Sequence, residues 1–445
     1  MSVAEDGKPP RIAVVGGGWA GCAAAVKLAA AGHAVHLFES SRVLGGRARA
    51  VQLDEHPLDN GQHIMLGAYG ETLAVMTQVG IDCEQAFLRL PLQMRYPEGS
   101  GGMDFVAPRL PAPLHVAVAL LRAKGLSRSD KHALARFSTA ARWMGWHLNE
   151  DCSVAELLER FDQTPRLTAL MWRPLCLAAL NTAPEAASAR VFLAVLRDSL
   201  GAKRAASDML LPRKDLSELF PAHAARYIEQ RQGAVHMGVQ VRGLARDGSG
   251  WRLEATADMS ETGLTFDKVV LATAARQTAQ LLEGIAGTEF FHGLKYEPIT
   301  TCYLRYAPGL RLPAPFLALL DDETKGEWGQ FVFDRGQLDA ANAGILAVVI
   351  SASHAAVALD QEELNRAVAR QLAKVFNKPE LAEPAWSRVV SEKRATFSCT
   401  PGLIRPGNDI GVPGLVLAGD YTAGEYPATL EGAVRSGIRA AALLA

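Results

Sequence analysis

The chain has 445 residues, 49% of them apolar and 21% charged, enough for two domains with a sizeable core. Its formal net charge of −1 provides no bulk field for nucleic acid. The six cysteines, Cys22, Cys83, Cys152, Cys176, Cys302 and Cys399, form no CxxC pair, so neither a disulfide framework nor a zinc site is expected, and a reducing cytoplasm fits.

Met1 to Pro10 is polar and carries Glu5 and Asp6, unlike the basic start of a leader peptide. Ile12 to Ala31 is apolar enough to imitate a membrane helix, but glycines 16, 17, 18 and 21 and Lys27 interrupt it. A strand, a turn and a helix explain it better. Arg11 to Val15 reads as a buried parallel strand, Ala20 to Ala31 as a helix stopped by Gly32, and Ala34 to Glu39 as a second strand.

That βαβ unit is the context a GxGxxG motif needs. Gly16 permits the tight turn, Gly18 the close approach of a pyrophosphate, and Gly21 the packing of helix on strand. The helix start at Trp19 and Ala20 offers amides and a partial positive charge to phosphate. Glu39, followed by Ser40, ends the second strand, where an acid accepts hydrogen bonds from ribose hydroxyls and disfavours a 2′-phosphate. In Leu44-Gly45-Gly46-Arg47-Ala48-Arg49, Gly46 allows a second close backbone approach and Arg47 is placed to face a phosphate.

Residues 76–210 read as largely helical, punctuated by prolines 108, 111 and 113. Within them, 107–148 combines Arg109, Arg122, Lys124, Arg128, Lys131, Arg136 and Arg142 with the apolar run Leu114 to Leu121, then Trp143 and Trp146. That run is too short to span a bilayer, but a basic, apolar and aromatic patch suits docking on an anionic membrane surface. Gly233 to Val241 and Gly250 to Thr256 read as strands of one small sheet, and Lys268 to Ala274 as a buried strand. Residues 295–355 alternate as strands do, notably Thr300 to Tyr306 and Ile345 to Ser351. Leu415 to Gly419 is a last buried strand running into Asp420, and Thr429 to Leu444 a closing helix.

The expected fold is α/β. A Rossmann-type dinucleotide-binding domain is assembled from 1–75, 205–290 and 395–445. An inserted α+β substrate domain comprises 76–204 and 291–394, with 107–148 its candidate membrane-docking helical region.

GGGWAG, Glu39, LGGRA and a C-terminal AGD followed by Glu431-Gly432-Ala433 together resemble the amine oxidase and carotenoid desaturase superfamily of flavoproteins. The resemblance implies FAD as cofactor. It carries the cofactor-binding role to Gly16, Gly18, Trp19, Ala20, Gly21, Glu39, Ser40, Gly46, Arg47, Gly61, Gln62, His63, Gly419 and Asp420. It implies that the backbone of Val241 contacts the adenine. It also implies that Gly432 and Ala433, at a helix start, lie against the flavin, where the helix dipole favours the anionic reduced ring.

A narrower resemblance rests on Leu58-Asp59-Asn60-Gly61-Gln62-His63-Ile64-Met65-Leu66-Gly67-Ala68-Tyr69, with Leu180-Asn181-Thr182 and Gly419-Asp420-Tyr421-Thr422. These segments are similar to the hydroxysqualene dehydroxylases of bacterial hopanoid synthesis. The implied reaction is reductive loss of an allylic hydroxyl from a hydrophobic C30 isoprenoid. His63, Asp59 and Tyr69 are the catalytic candidates, with Glu425, Tyr426 and Glu431 near the flavin end. Histidine titrates near neutrality, which suits proton transfer. A long apolar pocket is required, each buried CH₂ contributing roughly 0.8 kcal/mol. Trp172, Phe192, Tyr303, Phe331 and Phe333 are candidates to line it.

The expected setting is the cytoplasm, peripherally on the inner face of the cytoplasmic membrane. No motif specifies whether NAD(P)H or a redox protein donates the electrons. Three alternatives stay open: an isoprenoid desaturase working in the oxidative direction, an amine oxidase, and a non-catalytic prenyl-binding escort of the same fold. Bound yellow cofactor would dismiss the escort.

Overall fold

In the computed structural model, which describes residues 9–256 and 265–445, apolar runs from both ends of the chain meet in one sheet. Its five parallel strands lie in the order Ala234–Met237, Ala34–Glu39, Arg11–Val15, Lys268–Leu271 and Leu415–Leu417. The central strands are short apolar runs because helices cover both faces of such a sheet. Helix Trp19–Ala30 is built largely of alanine on its buried side and packs against the closing helix Leu430–Leu444. The approach is close enough that a Cβ on Gly437 would sit 2.1 Å from the Ala20 carbonyl oxygen.

One strand expectation is corrected. Ala234–Met237 does not belong to the small sheet but pairs in parallel with Ala34–Glu39 at the edge of the main one. Gly238, at φ 74°, redirects the chain, and only Val241–Asp247 pairs with Gly250–Ala255. The amides of Gly238 and Val239 donate to the carbonyls of Ser41 and Glu39, which holds the redirected chain beside the end of strand Ala34–Glu39. A run of alternating residues cannot disclose which of two edges it will join.

Residues 76–210 are mainly helical, as expected, but also contain strands. Phe87–Leu90 and Met65–Leu66 both pair with Met209–Pro212, and Gln93–Arg95 pairs with Asp104–Val106. Two wide π-helical turns, Thr168–Trp172 and Arg197–Gly201, interrupt the helices. Such turns recur at functional sites.

The second large sheet is antiparallel, in the order Phe316–Ala318, Phe331–Asp334, Ile345–Ser351, Tyr296–Arg305 and Trp386–Phe397. Alternation of side chains across the strands divides its residues between two faces. Val332, Leu346, Val348 and Ile350 pack with Leu364, Val368 and Leu372 of helix Gln361–Phe376. Phe331, Phe333, Ala347 and Val349 face the other way, into the cluster shared with Trp172. Among the described residues, no helix is long and apolar enough to cross a membrane.

Candidate active site

The glycine turn is shaped by lack of space. Gly16 has φ 110°, and a Cβ there would lie 2.6 Å from the Ala272 carbonyl oxygen. A Cβ on Gly21 would lie 1.9 Å from the Gly16 carbonyl oxygen. Gly18 caps helix Trp19–Ala30 without a side chain, and no acid stands in its first turn. The first-turn amides therefore have no competing side-chain anion. The second glycine segment closes on the first: Gly45 N–H donates to Gly17 O at 2.8 Å, and Trp19 Nε1 donates to Ala48 O at 3.1 Å. Glu39 is held at the end of its strand by Gly17 N–H and Ser41 N–H, each donating to its carboxylate at 2.8 Å. These features fit a dinucleotide: a bare cradle, a helix start and a fixed acceptor beside them.

One continuous cavity of about 1180 Å³ runs from this cradle into the inserted region. That exceeds the roughly 300–1,000 Å³ of a typical small-molecule pocket, leaving room for a second ligand beside a cofactor. Its wall includes Gly16, Gly18, Trp19, Ala20, Glu39, Ser40, Gly46, Arg47, Gly61, Gln62, His63, Tyr69, Val241, Gly419, Asp420 and Ala433. Gly21, Asp59 and Gly432 do not reach it. Gly21 faces the turn instead, and the Gly432 amide donates to Thr429 Oγ1 at 3.1 Å. Of the aromatic candidates, Trp172, Phe331 and Phe333 line the cavity, whereas Phe192 and Tyr303 do not. Phe192 is core packed edge-on to Trp172, and the Tyr303 hydroxyl donates to Asp59 O at 2.9 Å.

The two ends of the chain meet here as an ion pair. Arg47 Nη2 donates to Asp420 Oδ1 at 2.6 Å, and Arg47 Nη1 to Ala395 O at 2.8 Å. Arg47 thus lies on the cavity wall with its charge matched by the aspartate of the C-terminal strand.

His63 Nδ1 lies 2.8 Å from Gly61 O. A carbonyl only accepts, so Nδ1 carries the proton and Nε2 the lone pair. Burial lowers the pKa of His63 below the ordinary histidine value, although the Gly61 carbonyl and the Asp59 charge pull it back. The ring is therefore neutral near pH 7, with an acceptor at Nε2 that has no partner among the described residues. Burial and the neighbouring Glu431 charge raise the pKa of Tyr69, keeping its hydroxyl protonated.

Asp59 is almost fully buried. Its carboxylate accepts from Leu216 N–H at 2.8 Å and from Arg335 Nη1 at 3.1 Å. Burial pushes its pKa up, opposed chiefly by Arg335. Arg335 Nη1 also donates to Gln62 Oε1 at 2.7 Å. Glu431, completely buried, accepts from Thr72 N–H and Thr72 Oγ1 and so caps the helix Gly70–Gln78. Glu425 is exposed and paired with Arg197 at 2.9 Å. Tyr426 lines the cavity and donates to Asp198 Oδ2 at 2.6 Å. Sequence reasoning missed Arg335 and Asp198. Arg335 lies 276 positions from Asp59, and Asp198 stands 228 from Tyr426, so no local spacing marked either.

Comparison with known proteins agrees with this geometry. The family model for flavin containing amine oxidoreductases matches residues 19–445. The hydroxysqualene dehydroxylase of Rhodopseudomonas palustris is 31% identical, over 97% of this chain and 97% of that one. The zeta-carotene desaturase of Zea mays is 24% identical, over 98% of this chain and 83% of that one. A redesigned putrescine oxidase has the same fold, with a TM-score of 0.72 at 15% identity over 98% of both chains. The chain belongs to the flavin containing amine oxidoreductase family and is an FAD-dependent oxidoreductase that matches hydroxysqualene dehydroxylases over nearly its whole length.

Proposed function

We propose that the protein removes the allylic hydroxyl of hydroxysqualene reductively, giving squalene and water. The observation that carries this reading is the continuous cavity in which a candidate dinucleotide cradle opens toward Trp172, Phe316, Phe331 and Phe333 and a wall that includes Leu92, Met94, Leu134, Met171, Leu175 and Val349. The 31% identical relative named for this activity supports the same substrate class. In this reading residues 1–75, 205–290 and 395–445 hold FAD, and 76–204 and 291–394 hold the isoprenoid.

Reduced FAD supplies a hydride. The substrate C–O bond breaks, the leaving oxygen takes a proton and departs as water, and the allylic carbon receives the hydride. The chain must therefore provide a proton, orient the carbon and keep bulk water away. Tyr69 is the proton donor this reading favours, because it lines the cavity with His63 and a phenol carries a proton at neutral pH. His63, neutral and with its Nδ1 proton engaged by Gly61, is not the acid; in this reading its Nε2 presents a lone pair, and no positive charge, to the developing allylic cation. Asp59 takes no direct part, since it does not reach the cavity.

The test is anaerobic. Photoreduced enzyme mixed with hydroxysqualene is expected to reoxidise and to yield squalene; a flavin that stays reduced counts against the reading. The relationship to a zeta-carotene desaturase supports oxidative desaturation as the second reading. Oxidised enzyme bleached by an isoprenoid hydrocarbon would favour it. The pH profile gives a further prediction. A histidine whose pKa is depressed is neutral above that pKa and loses its acceptor as pH falls through it. The acid limb of kcat/KM is therefore expected below pH 6.5, and a limb above 6.5 would contradict the role given to His63.

The setting in this reading is the cytoplasmic face of a membrane. Helix Leu114–Arg122 turns Val116 toward the cavity and Leu114 and Leu121 outward, and Trp143, 93% exposed, ends the next helix. Arg109, Arg122, Lys124, Arg128 and Arg142 are exposed around them. Apolar side chains set among cations match an anionic lipid surface. Co-sedimentation with anionic vesicles is expected, and Leu121→Asp with Trp143→Asp is expected to abolish it. Equal pelleting of this variant would contradict the surface assigned.

A further inference from the structure

A polar assembly that reaches the cavity wall has no part in the reading above. Tyr426 donates its hydroxyl proton to Asp198 Oδ2 at 2.6 Å. Asp198 Oδ1 accepts from Arg197 Nε at 2.7 Å, and Arg197 turns both terminal nitrogens toward the Glu425 carboxylate, at 2.9 and 3.4 Å. The Arg435 guanidinium lies over the Tyr426 ring, 4.2 Å from its centre, and is itself tied to Glu431 at 2.7 Å. Side-chain exposure falls along this chain, from 65% at Glu425 through 37% at Arg197 to 23% at Asp198. Tyr426 lies deepest, at 7%.

Asp198 stands in the wide turn Arg197–Gly201, and Tyr426 in the loop that leads to helix Leu430–Leu444. The assembly therefore pins a side chain of the inserted region to one of the C-terminal loop, both on the cavity wall. A phenol has one proton and retains lone pairs on its oxygen. Here the proton is committed to a carboxylate, and that carboxylate is held ionised by Arg197 and Tyr426 despite its burial. What the Tyr426 oxygen offers the cavity is an acceptor of fixed position.

We propose that Tyr426, oriented by Asp198 and Arg197, is the binding site for the hydroxyl of an isoprenoid alcohol, accepting the substrate's O–H. The inference rests on the dehydroxylase reading for its substrate. An apolar chain gains affinity anywhere in an apolar pocket and slides in register. A lone hydroxyl can settle only where a polar partner exists, because burying it unpaired is costly. Tyr426 then decides which carbon of the chain is presented for reaction and lets the enzyme distinguish an alcohol from the hydrocarbon it becomes. Asp198 and Arg197 act through Tyr426 and are positioning residues.

The test compares hydroxysqualene with squalene as ligands of the oxidised holoenzyme, following the flavin fluorescence. Tyr426→Phe keeps the ring and its contact with Arg435. It is expected to weaken hydroxysqualene binding roughly tenfold while leaving squalene binding unchanged, the loss of one hydrogen bond. Asp198→Asn, which returns the phenol proton to play, is expected to reduce the preference for the alcohol in the same direction by less. Equal loss for both ligands would mean that Tyr426 only shapes the pocket and would overturn the proposal, as would no change for either. A wild-type enzyme that binds the alcohol preferentially yet does not convert it would sink the dehydroxylase reading and leave the hydroxyl site standing.

Discussion

Gly21→Val is expected to give a protein that no longer retains FAD, with its affinity lowered at least roughly a hundredfold, or about 2.7 kcal/mol. The cause is a collision rather than backbone strain. A Cβ at position 21 would lie 1.9 Å from the Gly16 carbonyl oxygen and 3.1 Å from Ala272 Cβ. The Gly16 turn and the strand end at Ala272 would have to move apart, and these backbone groups shape the candidate phosphate cradle. Gly32 provides the control. It has φ 88° but no atom near its missing Cβ, so Gly32→Ala meets only the left-handed conformational penalty of about 1–2 kcal/mol. It is expected to lower stability slightly and leave FAD content intact. Visible flavin absorbance per protein, followed by titration of the apoprotein with FAD, measures both. Full flavin occupancy in Gly21→Val would mean that the turn absorbs the collision and would overturn this account.

The second large effect concerns the buried pair Asp59–Arg335. Removing one partner leaves an uncompensated buried charge, so Asp59→Leu and Arg335→Met are each expected to cost about 3–5 kcal/mol. The double replacement Asp59→Leu with Arg335→Met removes both charges and is expected to recover most of that loss. A residue of about 1–3 kcal/mol should remain, because Gln62 Oε1 loses the Arg335 Nη1 donor and the Leu216 amide loses its acceptor. Urea unfolding midpoints of the two single variants and the double give the coupling. Single losses that simply add in the double would show that the pair is not a unit. In the proposed reading the same pair keeps Asp59 from acting as a proton donor: its carboxylate joins the strand His56–Asp59 to the helix start at Leu216 and to Arg335.

The glycine turn of the candidate dinucleotide site was legible because each of its parts is local. Gly16, Gly18 and Gly21 state a turn, a close approach and a packing contact within six positions, and Glu39 ends the next strand of the same unit. The strands that carry the far end of the chain into the same sheet were legible as apolar runs. The strand Ala234–Met237 was misplaced because a single pairing edge is chosen by Gly238 and by the amides that follow it. Among the aromatic candidates, Phe331 and Phe333 reached the cavity and Tyr303 did not. Strand alternation gives a face to each residue but does not say which face will border a cavity.

Sequence alone determined the glycine turn, the buried strands around it and the family, since glycine spacing and hydrophobic periodicity are properties of neighbours along the chain. Tertiary structure alone decided which polar side chains face the cavity. It placed Asp59 behind the wall with Arg335, fixed the tautomer of His63 through Gly61, and brought Asp198 to Tyr426 across 228 positions. Those outcomes depend on pairings between distant segments, and the energy of a buried polar group is set by the partner it finds, not by its place in the sequence.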